Sequence, residues 1–312
     1  MNFYFAPMEG LTNYIYRNAH HAYFGGVDKY FSPFISTTQK GSLRTRERND
    51  ILPENNQGIV LVPQLLSNNA LDFIETSKEI KQLGYQTINL NLGCPSQTVV
   101  SKNKGSGFLL KTEELHKFLE EIYSASVTKI SVKTRIGKNN PDEFYNLLEI
   151  FNEFPLEELI IHPRTQQDFY KNQPNLGIFR DALRLSKNPV CYNGDIFTVD
   201  EYMNFIDKFD QVETLMIGRG LLTNPGLVHL ITAKQMIDKH VLLEFHNRIY
   251  EAHKENLFGN RNVLFKMKEL WFYMIQLFSN NEVYWKKIRK VERVADYEKI
   301  VKRIFDEQEI LI

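Results

Sequence analysis

Cys94 stands in Asn91-Leu92-Gly93-Cys94-Pro95-Ser96, directly after an apolar run, which places a thiol on a turn at the end of a strand. Such a thiol can act as a nucleophile, a redox group or a proton donor. A dithiol mechanism wants a second cysteine in C-x-x-C spacing, and the other cysteine, Cys191, is remote. A nucleophile wants a histidine base, for which His162 is the candidate. A proton donor needs no base, and a thiol pKa of about 8.5 keeps it protonated at neutral pH. Cys191 lies inside an apolar run and reads as a small buried hydrophobe.

Other reactive types recur at the same kind of place. Lys133 alternates with Val132 and Thr134, so it points to the opposite face from them. A buried ammonium needs a partner. Either a structural ion pair supplies one, or a group that gains negative charge does, as a flavin does at its N1–C2=O edge on reduction. His162, in His162-Pro163-Arg164-Thr165, is either a backbone-bonded core histidine or a ligand contact. Asn193-Gly194-Asp195 and Gly218-Arg219-Gly220 each follow an apolar run and combine glycines with a fixed cation, which suits an anionic phosphate.

These groups must be positioned by a repeating scaffold. Apolar, β-rich runs at 3–7, 29–35, 58–65, 86–91, 128–134, 157–162, 189–193 and 213–217 alternate with amphipathic segments. Examples of the latter are Thr112 to Ser126, with Leu115, Phe118, Leu119 and Ile122 at helical spacing, and Pro141 to Phe154. Eight such alternations predict an α/β fold, a (β/α)8 TIM barrel, over 1–240. An open doubly wound sheet is disfavoured because no Gly-x-Gly-x-x-Gly follows the first run, which ends in Ala6-Pro7-Met8-Glu9-Gly10. In a barrel the C-terminal strand ends form the site. They hold Pro7, Met8 and Glu9; Gln64; Asn91 and Cys94; Lys133 and Arg135; His162 and Arg164; Asn193 to Asp195; and Gly218 to Gly220. The segment Gln97 to Phe108, with Gly105 and Gly107, reads as a mobile covering loop. Past about residue 240 only helical patterns remain (241–257, 262–278, 281–291 and 295–305), predicting a small C-terminal helical domain over 241–312.

At 312 residues, 43% of them hydrophobic, the chain can build a barrel with an appendage. No run approaches the roughly 18 apolar residues of a membrane span, and the N-terminus lacks a basic n-region. Two cysteines are too few for a disulfide framework or a cysteine-based metal site, and a reducing cytoplasmic setting is expected. Net charge is zero, yet Lys286 to Arg303 carries eight basic residues against three acidic ones, a local +5. That segment is either a solvated helix face or a nucleic-acid grip.

Taken together, these stretches resemble the tRNA-dihydrouridine synthase family. The matching segments are Ala6-Pro7-Met8-Glu9-Gly10, Gln64-Leu65-Leu66, Asn89 to Ser96, Gly105 to Leu110, Val132-Lys133-Thr134-Arg135, Ile161 to Thr165, Asn193-Gly194-Asp195-Ile196 and Ile217 to Gly220, in family order over about residues 4 to 222. The resemblance implies FMN at the barrel mouth, NADPH as reductant, hydride transfer to C6 of a uracil in tRNA, and protonation of C5 by Cys94. It implies that Pro7, Met8 and Glu9 back the flavin and that Gln64 and Lys133 contact its ring. His162 would contact the ring or phosphate side, and Asn193, Gly194, Asp195, Gly218 and Arg219 the phosphate. Asn91 and Arg164 would orient the uracil. Lys171 takes a substrate-facing position where the family often has arginine, so the planar fork is lost there. Pro163 and Ser67 stand where glycine is frequent. A monomer without metal is expected, with tRNA as partner. The basic segment, with Tyr284, Trp285 and Tyr297 interleaved, then reads as part of a tRNA grip. The rival is an FMN barrel acting on a free pyrimidine or a similar small unsaturated substrate.

Overall fold

The computed structural model describes residues 1–37 and 43–311; Ile312, the last residue of the expected helical domain, lies outside them. Among the described residues ten short strands form one sheet: β1 (Asn2–Phe5), β2 (Lys29–Phe31), β3 (Ile35–Ser36), β4 (Leu61–Val62), β5 (Gln64–Leu66), β6 (Thr87–Leu92), β7 (Lys129–Arg135), β8 (Leu159–His162), β9 (Val190–Tyr192) and β10 (Thr214–Ile217). Their order is β3-β5-β6-β7-β8-β9-β10-β1-β2-β4. The two ends of that order belong together. β2 and β3 are halves of one run, as are β4 and β5, and each run is interrupted at a proline, Pro33 or Pro63, which has no N–H for the ladder. Across the breaks the Gln64 N–H reaches Ser32 Oγ at 3.0 Å and the Asn89 N–H reaches the Pro63 carbonyl at 2.9 Å. Because β2 pairs with β4 and β3 with β5, both in parallel, the eight runs close into the expected barrel.

Alternation along the strands sorts the side chains. Tyr4, Ala6, Phe31, Val62, Ile160, Cys191 and Met216 form one buried apolar cluster, confirming Cys191 as core. Beside it, nearer the strand starts, the Glu158 carboxylate accepts from the Tyr4 hydroxyl and the Lys29 ammonium. The alternate residues Leu90, Val132 and Ile161 are fully buried on the other face, which is why these strands read as continuous apolar runs.

The chain folds as two compact units. One comprises Met1–Pro7, Asp28–Gly194 and Lys208–Met216; the other comprises Met8–Val27, Asp195–Asp207 and Ile217–Ile312. In the first, helix Thr112–Ala125 buries Leu115, Phe118, Leu119 and Ile122, and Phe118 meets Phe73 of helix Ala70–Gln82 edge-on at 5.9 Å. Each such side chain stabilises by roughly 1.5–3 kcal/mol on burial. Pro141 precedes rather than opens its helix, which runs Glu143–Phe151.

In the second unit the C-terminal helices are Lys239–Asn256, Asn260–Met274, Asn281–Lys290 and Val294–Glu307, each within a few residues of its periodic pattern. Phe245 packs against Tyr16 and Phe24, joining helix Tyr14–Tyr23 to the longest of them. Trp271 and Tyr297, both fully buried, centre the rest of this core. Tyr284 is buried too, its hydroxyl donating to Glu307 at 2.7 Å. Two of the three aromatics expected to interleave with the basic grip are therefore core residues. Their spacing matches the buried stripe of their helices, and that stripe claimed them. No described helix is long and apolar enough to cross a membrane.

Candidate active site

The first unit brings Gln64, Asn91, Cys94, Lys133, His162 and Arg164 to the C-terminal ends of neighbouring strands. Register places Gln64 beside Asn89, Asn91 beside Lys133 and Arg135 beside His162. Asn91 turns its Oδ1 back to accept the N–H groups of Gly93 and Cys94 at 3.0 and 2.9 Å. That orientation fixes everything behind it. Asn91 Nδ2 must donate outward, and does so to Gln64 Oε1 at 2.7 Å; Gln64 Nε2 then donates to Asn89 Oδ1 at 2.7 Å, and Asn89 Nδ2 to Ser131 Oγ at 2.8 Å. The relay runs in one direction through buried groups. Asn89 was not singled out in the sequence, although its position two residues before Asn91 puts it on the same face.

The Cys94 main chain is held from the other side as well. Its carbonyl accepts from the Ser106 N–H at 3.1 Å and the Ser106 hydroxyl at 2.9 Å. Gly105, at φ +55°, lies so close that a Cβ would come within 2.8 Å of that carbonyl. Gly105 to Phe108 are buried. The end of the segment expected to be a mobile covering loop is thus packed, its glycines serving close approach to the Cys94 turn, while Gln97, Thr98 and residues 101–103 are exposed. The thiol-bearing residue itself is half-buried.

Arg135 ties the Gly93 turn to the 165–169 stretch through three backbone carbonyls and is 1% exposed. Nε donates to the Gly93 carbonyl at 3.0 Å, while Nη1 and Nη2 donate to the carbonyls of Thr165 and Phe169, each at 2.8 Å. The guanidinium also sits 5.5 Å from the Tyr170 ring centre. Lys133, two residues earlier on the same face, makes no hydrogen bond or ion pair with the described residues. Burial and the Arg135 guanidinium push its pKa down to about 8. The alternative of a structural ion pair is not met among the described residues.

His162 Nε2 lies 3.0 Å from Arg164 Nη1. Arginine can only donate, so Nε2 is the acceptor and Nδ1 carries the proton. Arg164 is 2% exposed and its Nε donates to the Asn172 carbonyl at 2.5 Å, so it braces the 165–172 segment from within. Asp168 accepts from the Thr165 N–H and hydroxyl at 2.7 and 2.8 Å. Burial opposes its ionisation, but hydrogen bonds from Thr165 and Asn172 outweigh that and hold the carboxyl below its usual range. Lys171, beyond it, is exposed. Asn193 is buried and donates to the Met216 carbonyl at 2.7 Å. A Cβ on Gly194 would overlap the Tyr192 hydroxyl at 2.0 Å, so this glycine is demanded by its own neighbour.

In the second unit, Met8, Glu9 and Gly10 form a turn closed by Thr12, whose Oγ1 accepts the Met8 N–H at 2.8 Å. Gly10 has φ +81°, and Lys266 Nζ donates to its carbonyl at 2.9 Å. Asp195 and Arg219 form an ion pair, with the Arg219 guanidinium 5.2 Å from the Phe197 ring centre. Gly218 caps the short helix Arg219–Thr223, and Gly220 must lack a side chain because the Ile196 carbonyl would lie 2.0 Å from its Cβ.

A parallel barrel with a thiol, a lysine and amide side chains at its strand ends has the layout of a barrel enzyme, and comparison with known proteins shows which family it belongs to. The model of the dihydrouridine synthase (Dus) family matches residues 4–309, and the chain belongs to this family. It is 32% identical over 231 residues to the tRNA-dihydrouridine(16) synthase of Pseudomonas putida, covering 71% of this chain and 70% of that one. It is 25% identical over 268 residues to the probable tRNA-dihydrouridine synthase of Staphylococcus aureus, covering 81% and 79%. In fold it is similar to morphinone reductase, with TM-score 0.53, 10% identity and coverage of 76% of this chain and 87% of that one. It is likewise similar to a variant of NCR from Zymomonas mobilis, with TM-score 0.53, 14% identity and coverage of 78% and 90%. Its activity, at the level of the family, is tRNA-dihydrouridine synthesis, an oxidoreduction.

Proposed function

We propose that the protein uses FMN and NADPH to reduce the C5=C6 bond of specific uridines in tRNA, with Cys94 as the proton donor. The observation that carries the flavin is Lys133: a largely buried ammonium at a strand end, without a carboxylate partner among the described residues, fits a ligand that gains negative charge. FMN held there and reduced by NADPH would supply the hydride for C6.

The chain's own residues do the rest. Cys94 gives its thiol proton to C5 and recovers one from solvent. Asn91 and Ser106 hold its main chain on either side, so the thiol is presented by a fixed turn. Gln64 would meet the flavin ring beside Lys133, using the donor and acceptor capacity left over from its bonds to Asn89 and Asn91. His162 would contact the ring or phosphate side. Pro7, Met8 and Glu9 would back the flavin, and the family pattern assigns the phosphate to Asn193, Gly194, Asp195, Gly218 and Arg219. Asn91 would reach the uracil directly. Arg164 would act through His162 and the 165–172 segment, and Lys171 would approach the nucleotide from solvent. The helices over 241–311, with exposed Lys286, Lys287 and Lys290, would hold the tRNA.

The test is to supply NADPH with either unmodified tRNA or free uridine and map dihydrouridine by mass spectrometry. Turnover on tRNA at a defined uridine, with free uridine left unreduced, is expected. Equal or faster turnover of free uridine would establish the small-substrate reading instead. The same map shows whether the modified position is 16, the one in the name of the Pseudomonas relative.

A further inference from the structure

Helix Asn260–Met274 carries a solvent-facing line of residues, exposed except for the half-buried Lys268, with no part in the site described above. Arg261, Phe265, Lys268 and Phe272 recur at alternating steps of four and three, which places them on one helical face. Phe258, three residues before Arg261, lies just ahead of the first turn. Phe258 is 96% exposed, Phe265 60% and Phe272 51%, while Leu264, Met267, Trp271 and Met274 bury the opposite face. Phe265 lies 5.7 Å from the Lys266 ammonium and Phe272 meets Tyr273 edge-on at 5.0 Å, but core burial does not explain the phenylalanines, and three of them along one solvent-facing line exceed the scattered exposure of a globular surface.

Their company indicates what they meet. Arg261 and Lys268 enter no ion pair or side-chain hydrogen bond with the described residues. Glu269, the acid of this helix, is engaged by Lys266 at 2.7 Å. The line thus alternates flat apolar rings with available cations. Trp285 of helix Asn281–Lys290 extends it, its ring meeting Phe272 near-perpendicularly at 5.6 Å. A protein partner would call for a continuous apolar patch. Unpaired nucleotides offer what this face complements, π-faced bases alternating with phosphates. Phe265 and Phe272 stand about 10.5 Å apart along the axis, leaving Lys268 between them for a phosphate.

We infer that this face is a stacking platform for unpaired bases of the tRNA substrate, with Phe265 and Phe272 as the stacking rings and Arg261 and Lys268 as the phosphate contacts. The inference rests on the tRNA reading above and adds to it a subsite separate from the basic segment at 286–303.

The decisive variant is Phe265→Leu with Phe272→Leu, which keeps apolar bulk and helix propensity but removes the ring faces. Both positions are exposed, so the fold is kept. The KM for tRNA is expected to rise about tenfold or more, with NADPH-driven flavin reduction, kcat at saturating tRNA and the salt dependence of binding all unchanged. Arg261→Gln with Lys268→Gln is expected to flatten the slope of log K against log salt by about 1.5. A wild-type KM in the leucine variant overturns the platform while leaving the tRNA reading intact. Self-association in sedimentation velocity that Phe265→Asp with Phe272→Asp abolishes also overturns it, making the face a contact between copies. A wild-type protein that neither binds nor reduces tRNA removes the tRNA reading and the platform with it.

Discussion

Asn91 Oδ1 accepts the backbone N–H of Cys94 at 2.9 Å, and together with the Gly93 N–H that bond sets the orientation of the amide of Gln64. Changing Asn91→Asp tests the direction of the relay. A carboxylate still accepts the Gly93 and Cys94 N–H groups but cannot donate to Gln64 Oε1. The Gln64 amide must then flip, followed by that of Asn89, until Ser131 absorbs the change by rotating its hydroxyl. Every hydrogen-bonding group can find a partner again, so any change in thermal stability reports the new carboxylate charge buried beside Lys133. Flavin affinity should fall about tenfold, since Gln64 now presents the opposite polarity. Fluorescence titration with FMN measures it, and unchanged affinity would show that Gln64 does not contact the ring.

Cys94→Ala removes the proposed acid and nothing that holds its turn, because both anchoring bonds use the main chain of residue 94. FMN binding and its reduction by NADPH should persist, while single-turnover reduction of tRNA drops by roughly 10²–10⁴-fold. Near-normal tRNA reduction would rule out the acid role. Loss of flavin would reveal a structural one.

Lys133 gives a prediction with a defined sign in pH. Its folded pKa, about 8, lies below the unfolded value of 10.5. Between those values the unfolded chain binds more protons, so stability from this group rises with pH across that window; below about 8 the full cost of the charged side chain is present. Lys133→Met removes that cost. Without flavin, the variant should melt higher than wild type at pH 7, and the gap should close as pH rises from 8 towards 10.5. FMN affinity should fall in the same variant. A flavin-free variant that melts lower at pH 7 would mean that Lys133 is satisfied in the folded protein.

The barrel was legible because apolar strands at regular spacing admit few alternatives, and the strand-end residues followed from it. Other features were hidden for physical reasons. Arg135 was visible at a strand end, but the three carbonyls it gathers come from residues 93, 165 and 169, a convergence that only the folded loops create. Gly194 and Gly220 suggested a phosphate cradle, and only the fold shows that Tyr192 and the Ile196 carbonyl also leave no room there for a side chain. Tyr284 and Tyr297 sit among charged residues in sequence, yet helical periodicity turns them inward.

The helical core predicts acid sensitivity. Trp271 Nε1 donates to the Tyr297 oxygen at 2.9 Å, so the Tyr297 hydroxyl proton goes to His246 Nε2 at 2.6 Å, and His246 Nδ1 donates to Asn247 at 2.9 Å. This arrangement needs a neutral histidine, and burial pushes its pKa down from 6.5 to about 4. Burial does the same to His20, to about 3, and to His253, to about 4. Because the unfolded chain takes up these protons first, stability is complete above 6.5 and declines as pH falls towards 4. His246→Gln should make that decline shallower in urea titrations at successive pH values. Tyr297→Phe should cost about 1–3 kcal/mol by leaving Trp271 and His246 unsatisfied. An unchanged acid slope in the glutamine variant would show that His246 does not titrate differently on folding.

Charge reversal at Lys286, Lys287 and Lys290 separates the basic segment from the barrel chemistry. Lys286 and Lys290 are exposed, Lys287 lies over the Tyr284 ring, and Arg303 is already engaged by Glu307. These three lysines are therefore more available to phosphates than the +5 of the whole segment implies. Changing all three to Glu should weaken tRNA binding strongly at low salt and flatten the slope of log K against log salt by roughly 2–3, as three phosphate contacts are lost. NADPH-driven flavin reduction should be untouched, and raising salt should narrow the gap to wild type because screening removes the repulsion the variant adds. An unaltered slope across the salt series would move the grip off this helix.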